Sequence, residues 1–356
     1  MLTDAAKWAW SNRRKIVGVT VAAAGTYAAF VVWRKKCELQ SFCEELLQEP
    51  PMQSRKAKVE EHFQAAQRES DILLARELQG IQAHLTKALD TEAFRTQMRA
   101  EGATLDPVRW NKFTLMITTR AIASLYAVAL ALLMRRVHMN IVARHYLLEK
   151  DTEGLGCRSS SPNNGGLNKL TKMRFLSREL GSDVLDALIH AVRKASSTAT
   201  SSLRLDKQFN AASLQRGVIS VVRELLEKPG SNEPDALAPI CALLLDGIRV
   251  NGVAAEGDQL GALLEEVRRT VASAPFRIVL TDLMQAAGNV WTEQLQATLG
   301  GPEASRPYAK LLSHLERLGK RAVSEGENST LQSMLGVQSL SELCWMIYSA
   351  PFCDYA

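Results

Sequence analysis

Residues 113–134, FTLMITTRAIASLYAVALALLM, decide how this chain folds, because the run is apolar enough either to cross a bilayer or to fill the middle of a protein. Arg120 divides it, and the uninterrupted part from Ala121 to Met134 is shorter than the ~20 residues a spanning helix needs. A guanidinium near the centre of a span costs roughly 2.5–3.5 kcal/mol. Inside a protein it can meet a carboxylate or the carbonyls at a helix end. The run is therefore expected as a core helix.

Working outward, apolar spacings of three and four recur and strand-like alternation does not. Val59, Phe63, Ala66, Ser70, Leu74, Ile81, Leu85 and Leu89 mark one face of a long amphipathic helix, preceded by Glu38 to Gln48 and the Pro50-Pro51 interruption. Gly102 to Pro107 breaks the pattern, after which Val108 to Glu149 is helical again. Asp151 to Asn168, centred on SSSPNNGG at 159–166, reads as a flexible loop. Further helices are expected over Asn168 to Lys194, Leu203 to Lys228, Pro239 to Val250, Asp258 to Ser273, Phe276 to Leu299, Pro307 to Ser324 and Ser339 to Ala350. No fixed-period repeat points to a solenoid. The expected fold class is all-α, an elongated irregular bundle of long helices with one N-terminal transmembrane helix.

That transmembrane helix is Ile16 to Trp33, an uncharged run between Arg13, Arg14 and Lys15 on one side and Arg34, Lys35 and Lys36 on the other. At about 1.5 Å per residue it reaches roughly 27 Å, close to the ~30 Å of a bilayer's hydrocarbon core. A cleaved signal peptide fits less well, since its apolar region is usually ~7–15 residues and is not followed by a basic triplet. Trp8, Trp10 and Trp33 fall where indoles favour the headgroup zones. The expected organisation is a basic targeting segment over 1–15, an anchor over 16–33 and one helical body over 34–356. Both flanks are basic, so charge does not orient the anchor. The cysteines do: Cys37, Cys43, Cys157, Cys241, Cys344 and Cys353 are scattered without a framework, which suits a reducing compartment and places the body in the cytosol. The formal sequon Asn328-Ser329-Thr330 would matter only in a lumenal body.

The chain is 46% hydrophobic and 23% charged, enough apolar material for a folded core. Its formal charge is +5, and six cations flank the anchor, so the body is near neutral and no nucleic-acid partner is expected. No phosphate-binding loop, nucleophile elbow, H-E-x-x-H pair or dinucleotide fingerprint occurs. His62, His84, His138, His145, His190 and His314 lack metal-ligand spacing, and Glu44-Glu45, Glu60-Glu61 and Glu265-Glu266 read as solvated helix faces. Neither an enzyme, a metal nor a cofactor is expected.

What remains is recognition of a partner. A helical bundle takes up an amphipathic helix through an apolar groove anchored by large aromatics. Trp110 is the leading anchor, since it opens a helix just past the break, and Phe113 and Ile117 continue its apolar strip at i+3 and i+7.

The order Trp110-Asn111-Lys112-Phe113, then Thr118-Thr119-Arg120, Leu125-Tyr126-Ala127-Val128, and Leu132-Leu133-Met134-Arg135-Arg136-Val137-His138-Met139-Asn140-Ile141 resembles the peroxin three family of peroxisomal biogenesis factors. The likeness spans Trp110 to Asp151, is architectural before that and carries little beyond Leu170. Ala143-Arg144 departs from the two small residues expected there. The resemblance implies a peroxisomal membrane protein, single-pass, with its bulk facing the cytosol and its anchor in peroxisomal membrane lipids. It further implies docking of peroxin nineteen, the soluble receptor for new peroxisomal membrane proteins, through an amphipathic helix laid in the groove. Trp110 matches the family's groove tryptophan and Phe113 its apolar neighbour, with Leu105 and Met98 added to the groove. The rival reading is a signal-anchored tether of another organelle, such as the mitochondrial outer membrane.

Overall fold

The computed structural model describes residues 52–101, 106–154, 175–176, 180–200, 208–210, 257–301, 304, 306–324 and 328–353. The anchor with its basic flanks, Leu105, most of the loop after Gly154 and the helix expected over 239–250 lie outside these residues. Among the described residues the fold is all-α, apart from a two-residue antiparallel bridge between β1 (Gln208–Phe209) and β2 (Arg306–Pro307). Gln208 and Phe209 were expected to be helical; they are extended instead, because their backbones bond to β2.

The helices are α1 (Met52–Ala88), α2 (Thr91–Ala100), α3 (Pro107–Gly154), α4 (Ser182–Thr200), α5 (Gly257–Ala272), α6 (Ala274–Leu299), α7 (Tyr308–Ala322), α8 (Ser329–Leu335) and α9 (Gln338–Cys353). Four of them begin where the chain supplies a side-chain cap. Asp90 accepts from the Ala93 amide at 2.9 Å to open α2, and Asp106 accepts from Val108 at 2.9 Å to open α3 with Pro107 in its first turn. Ser273 and Pro275 do the same for α6, which ends at Gly300 in the left-handed conformation, φ 93°, a geometry glycine adopts without penalty. The helix α3 runs four residues into the stretch expected as loop from Asp151.

Asn328 is 4% exposed, donates to the Ala322 carbonyl at 2.6 Å and caps α8 by accepting from Leu331 at 3.0 Å. The sequon asparagine is thus a buried joint between α7 and α8. Ser339 donates to Asp282 at 2.5 Å, and Gln294 to Ser329 at 2.7 Å, so α8 and α9 run back along α6 in the opposite direction.

The chain divides into two compact units. In the first, Met1–Glu69 with His145–Arg178, the described core comprises Phe63, Ala66, Tyr146 and Phe175, and His62 stacks on Tyr146 with ring centroids 6.0 Å apart. Burial pushes the His62 imidazole down to about 4, so it is neutral at physiological pH.

The second unit, Ser70–Arg144 with Glu179–Ala356, is built on α3. Every residue from Ile117 to Arg144 is buried. By length and composition Pro107–Leu147 meets the requirement for a membrane span, yet 89% of its most apolar window is buried within the protein. Its side chains are apolar all round, as a helix enclosed by others requires. The charges on it are met inside. Arg120 donates to the Leu89 carbonyl at the end of α1 at 3.3 Å and to Thr86 Oγ1 at 2.8 Å. Arg135 pairs with Glu77, both side chains 4% exposed, and Glu77 also accepts from the Leu180 amide at 2.6 Å. Arg136 pairs with Asp71 at 2.7 Å, and Arg144 with Glu266 and the Ile347 carbonyl.

The amphipathic helix α7 packs Tyr308, Leu311, Leu312, Leu315, Leu318 and Ala322 into this core. Tyr308 meets Thr118 at 3.2 Å, and a Cβ placed on Gly319 would lie 2.9 Å from the Ala121 Cα. Backbone therefore touches backbone at that crossing. Gly319→Ala is expected to push α7 off α3 and cost about 1–3 kcal/mol, read as a lower thermal midpoint of the full chain; an unchanged midpoint would contradict the close crossing.

Candidate docking surface

The start of α3 carries the candidate surface. Once Asp106 and Pro107 set the helix direction, Val108, Trp110 and Phe113 occupy its first two turns. Val108 is 75% exposed, the most exposed large apolar side chain among the described residues. Trp110 is half-buried. Phe113 is buried beneath it, and the two rings meet edge to face with centroids 5.7 Å apart.

The second wall comes from α2. Phe94 and Met98 lie four residues apart, on one face of that helix. The half-buried Phe94 ring stacks on Phe113 at 6.0 Å, with 10° between the planes. Met98 and Ile117 are buried in the core. Of the groove residues read from the sequence, Trp110 and Phe113 are brought together, Met98 and Ile117 are buried rather than presented, and Leu105 lies outside the described residues. The reachable apolar surface is Trp110 and Phe94; Val108, two residues before Trp110 on the same helix, faces away from them.

Cations border it. Lys112 Nζ sits 5.4 Å from the Phe94 ring centroid and the Arg95 guanidinium 5.5 Å from that of Phe113. Arg95 is fixed by Glu92 at 2.8 Å and by Glu316 of α7 at 2.5 Å. Burial works against the Arg95 charge, but the bonds and fields of Glu316 and Glu92 outweigh it and raise its pKa. Burial alone would raise the Glu316 pKa; donors from Thr91, Arg95 and Lys320 hold it below the usual carboxylate range. On the other side Arg109 pairs with Glu101 and Asp106.

Phe94, Arg95 and Glu316 were missed from sequence. The signal for the first two was present: Asp90 caps a separate short helix, and reading that cap exposes the Phe94/Met98 spacing. For Glu316, more than 200 residues from Arg95, no local signal existed.

The arrangement sets rigid rings on two capped helices beside an ionic edge. Among the described residues no group of His, Cys, Asp and Glu is placed to hold a metal ion. The chain matches no protein-family model and no curated protein sequence.

Truncating the buried ring should damage the fold more than truncating the half-buried one. Phe113→Ala is expected to cost about 3–5 kcal/mol and Trp110→Ala less than half of that, by denaturant titration of the full chain. Equal losses would contradict the placement of Trp110 at the surface.

Proposed function

We propose that this chain is a docking receptor at the peroxisomal membrane that binds an amphipathic helix of peroxin nineteen and so serves insertion of peroxisomal membrane proteins. Residues 16–33, between Arg13, Arg14 and Lys15 and Arg34, Lys35 and Lys36, anchor it, and the bulk of the chain faces the cytosol. The visiting helix lays its apolar side chains over Trp110 and Phe94. Two lines support the reading: the resemblance centred on Trp110 to Asp151, and the exposed apolar surface at the residue that the resemblance assigns as anchor. The observation that carries it is Trp110 held half-buried on the base of stacked Phe113 and Phe94 rings.

The physics of such a site is burial of apolar area on a preformed base. Phe113 and Phe94 fix the Trp110 indole before the partner arrives, so little side-chain entropy is lost on binding. A central aromatic anchor is commonly worth about 2 kcal/mol or more on truncation.

Trp110→Ala is therefore expected to weaken binding of a peptide carrying the receptor's amphipathic helix about thirtyfold, by calorimetry with the full chain in detergent. Phe94→Ala, which removes the other half-buried ring of the surface, is the companion variant and is expected to weaken it as well. Unchanged affinity in both, with helicity retained, would refute the assignment.

A further inference from the structure

The helix α7 reaches the candidate surface through the buried Glu316 carboxylate, with Lys320 adding a 3.4 Å pair to the exposed Glu92 of α2. Its position relative to α3 is pinned on both sides of Glu316, by the Tyr308–Thr118 contact one way and the Gly319–Ala121 approach the other. Glu316 is 6% exposed and touches neither Trp110 nor the open surface. One oxygen accepts from Thr91 Oγ1 at 2.6 Å and stands 3.2 Å from Lys320 Nζ; the other accepts from Arg95 at 2.5 Å. Thr91 is the first residue of α2, and Arg95 is the cation set over the Phe113 ring. A single buried group thereby holds both the start of α2 and the side chain that covers the base of the Trp110 platform.

Resting on the docking reading above, we infer that Glu316 is a positioning residue for the partner-binding surface: through Arg95 it sets the Phe113 ring, and through Phe113 the Trp110 indole. The carboxylate is needed in its ionised form. Glutamine keeps the shape but carries no charge, and its amide nitrogen puts a donor where Glu316 offers either Thr91 or Arg95 an acceptor oxygen. Arg95 then loses its buried counter-charge and keeps only Glu92, whose side chain is 58% exposed. The guanidinium is freed to leave Phe113.

The test uses the full chain labelled with 5-fluorotryptophan, the Trp110 resonance being assigned by its loss in Trp110→Phe. Its fluorine shift reads the Phe113 ring current without any ligand. Glu316→Gln is expected to move the Trp110 resonance, and to weaken the peroxin nineteen peptide by about threefold to tenfold. In an Arg95→Met background the same substitution is expected to add nothing. Arg95→Met alone should give the same displacement, and decides the matter if Glu316→Gln does not fold. An unmoved resonance overturns the inference. So does a displacement that Glu316→Gln still produces on top of Arg95→Met, since that marks a general loosening of the fold. Unchanged peptide affinity beside a moved resonance overturns it too. If the wild-type chain does not bind the peptide, the docking reading falls, and the fluorine shifts alone support or overturn the Glu316–Arg95–Phe113 linkage.

Discussion

Neutralising the buried guanidiniums of α3 is the constraint to which the rest of the second unit answers. By length and composition this helix could cross a bilayer, but four buried arginines along it, Arg120, Arg135, Arg136 and Arg144, make that costly. Enclosure by other helices is costly as well unless each cation finds a partner. The end of α1 gives Arg120 a carbonyl and a hydroxyl, its middle gives Arg135 and Arg136 the carboxylates of Glu77 and Asp71, and α5 with α9 receives Arg144. These pairs dictate which helices lie against α3 and in what register. The apolar contacts then contribute most of the stabilisation, since burial of each large side chain is worth about 1.5–3 kcal/mol and an ion pair returns little beyond its desolvation.

Seen from that constraint, what the sequence revealed and what it hid follow a physical rule. The face of α1 was legible because a helix with one buried side repeats its apolar residues: Phe63, Ala66, Ser70, Leu74, Ile81, Leu85 and Leu89 are all buried, and only Val59 is partly open. The core placement of α3 was legible because Arg120 interrupts the run. Arg144, which broke the small-residue pattern of the resemblance, proves to be a buried cation with partners from α5 and α9. Short elements escaped. The two helices α2 and α8 have too few residues for periodicity to register, and their signals were single capping residues, Asp90 and Asn328. Residues 208–209 were read as helical because a two-residue bridge leaves no alternation to detect.

The candidate surface shows the same division. Trp110 and Phe113 were found because they share a helix, and sequence spacing reports neighbours on one helix. The stacking partner Phe94 and the fixing groups Arg95 and Glu316 arrive from other helices and are recorded only in three dimensions. Sequence spacing also does not say which side of a strip faces outward: Ile117 and Met98 continue the apolar pattern yet lie in the core, while Val108, outside the i, i+3, i+7 set, is exposed. The platform is thus a by-product of the way α2 carries the path of α1 on along α3 toward its start, and of the seating of α7 on α3.

The most direct measurement of the central claim is a double-mutant cycle on Glu77 and Arg135, read by chemical denaturation of the full chain. If α3 is enclosed and its cations are met within the protein, Glu77→Leu and Arg135→Leu should each cost about 3–5 kcal/mol, and the double variant markedly less than their sum. Small single effects that simply add would contradict it, because that is the behaviour of charges facing solvent rather than each other.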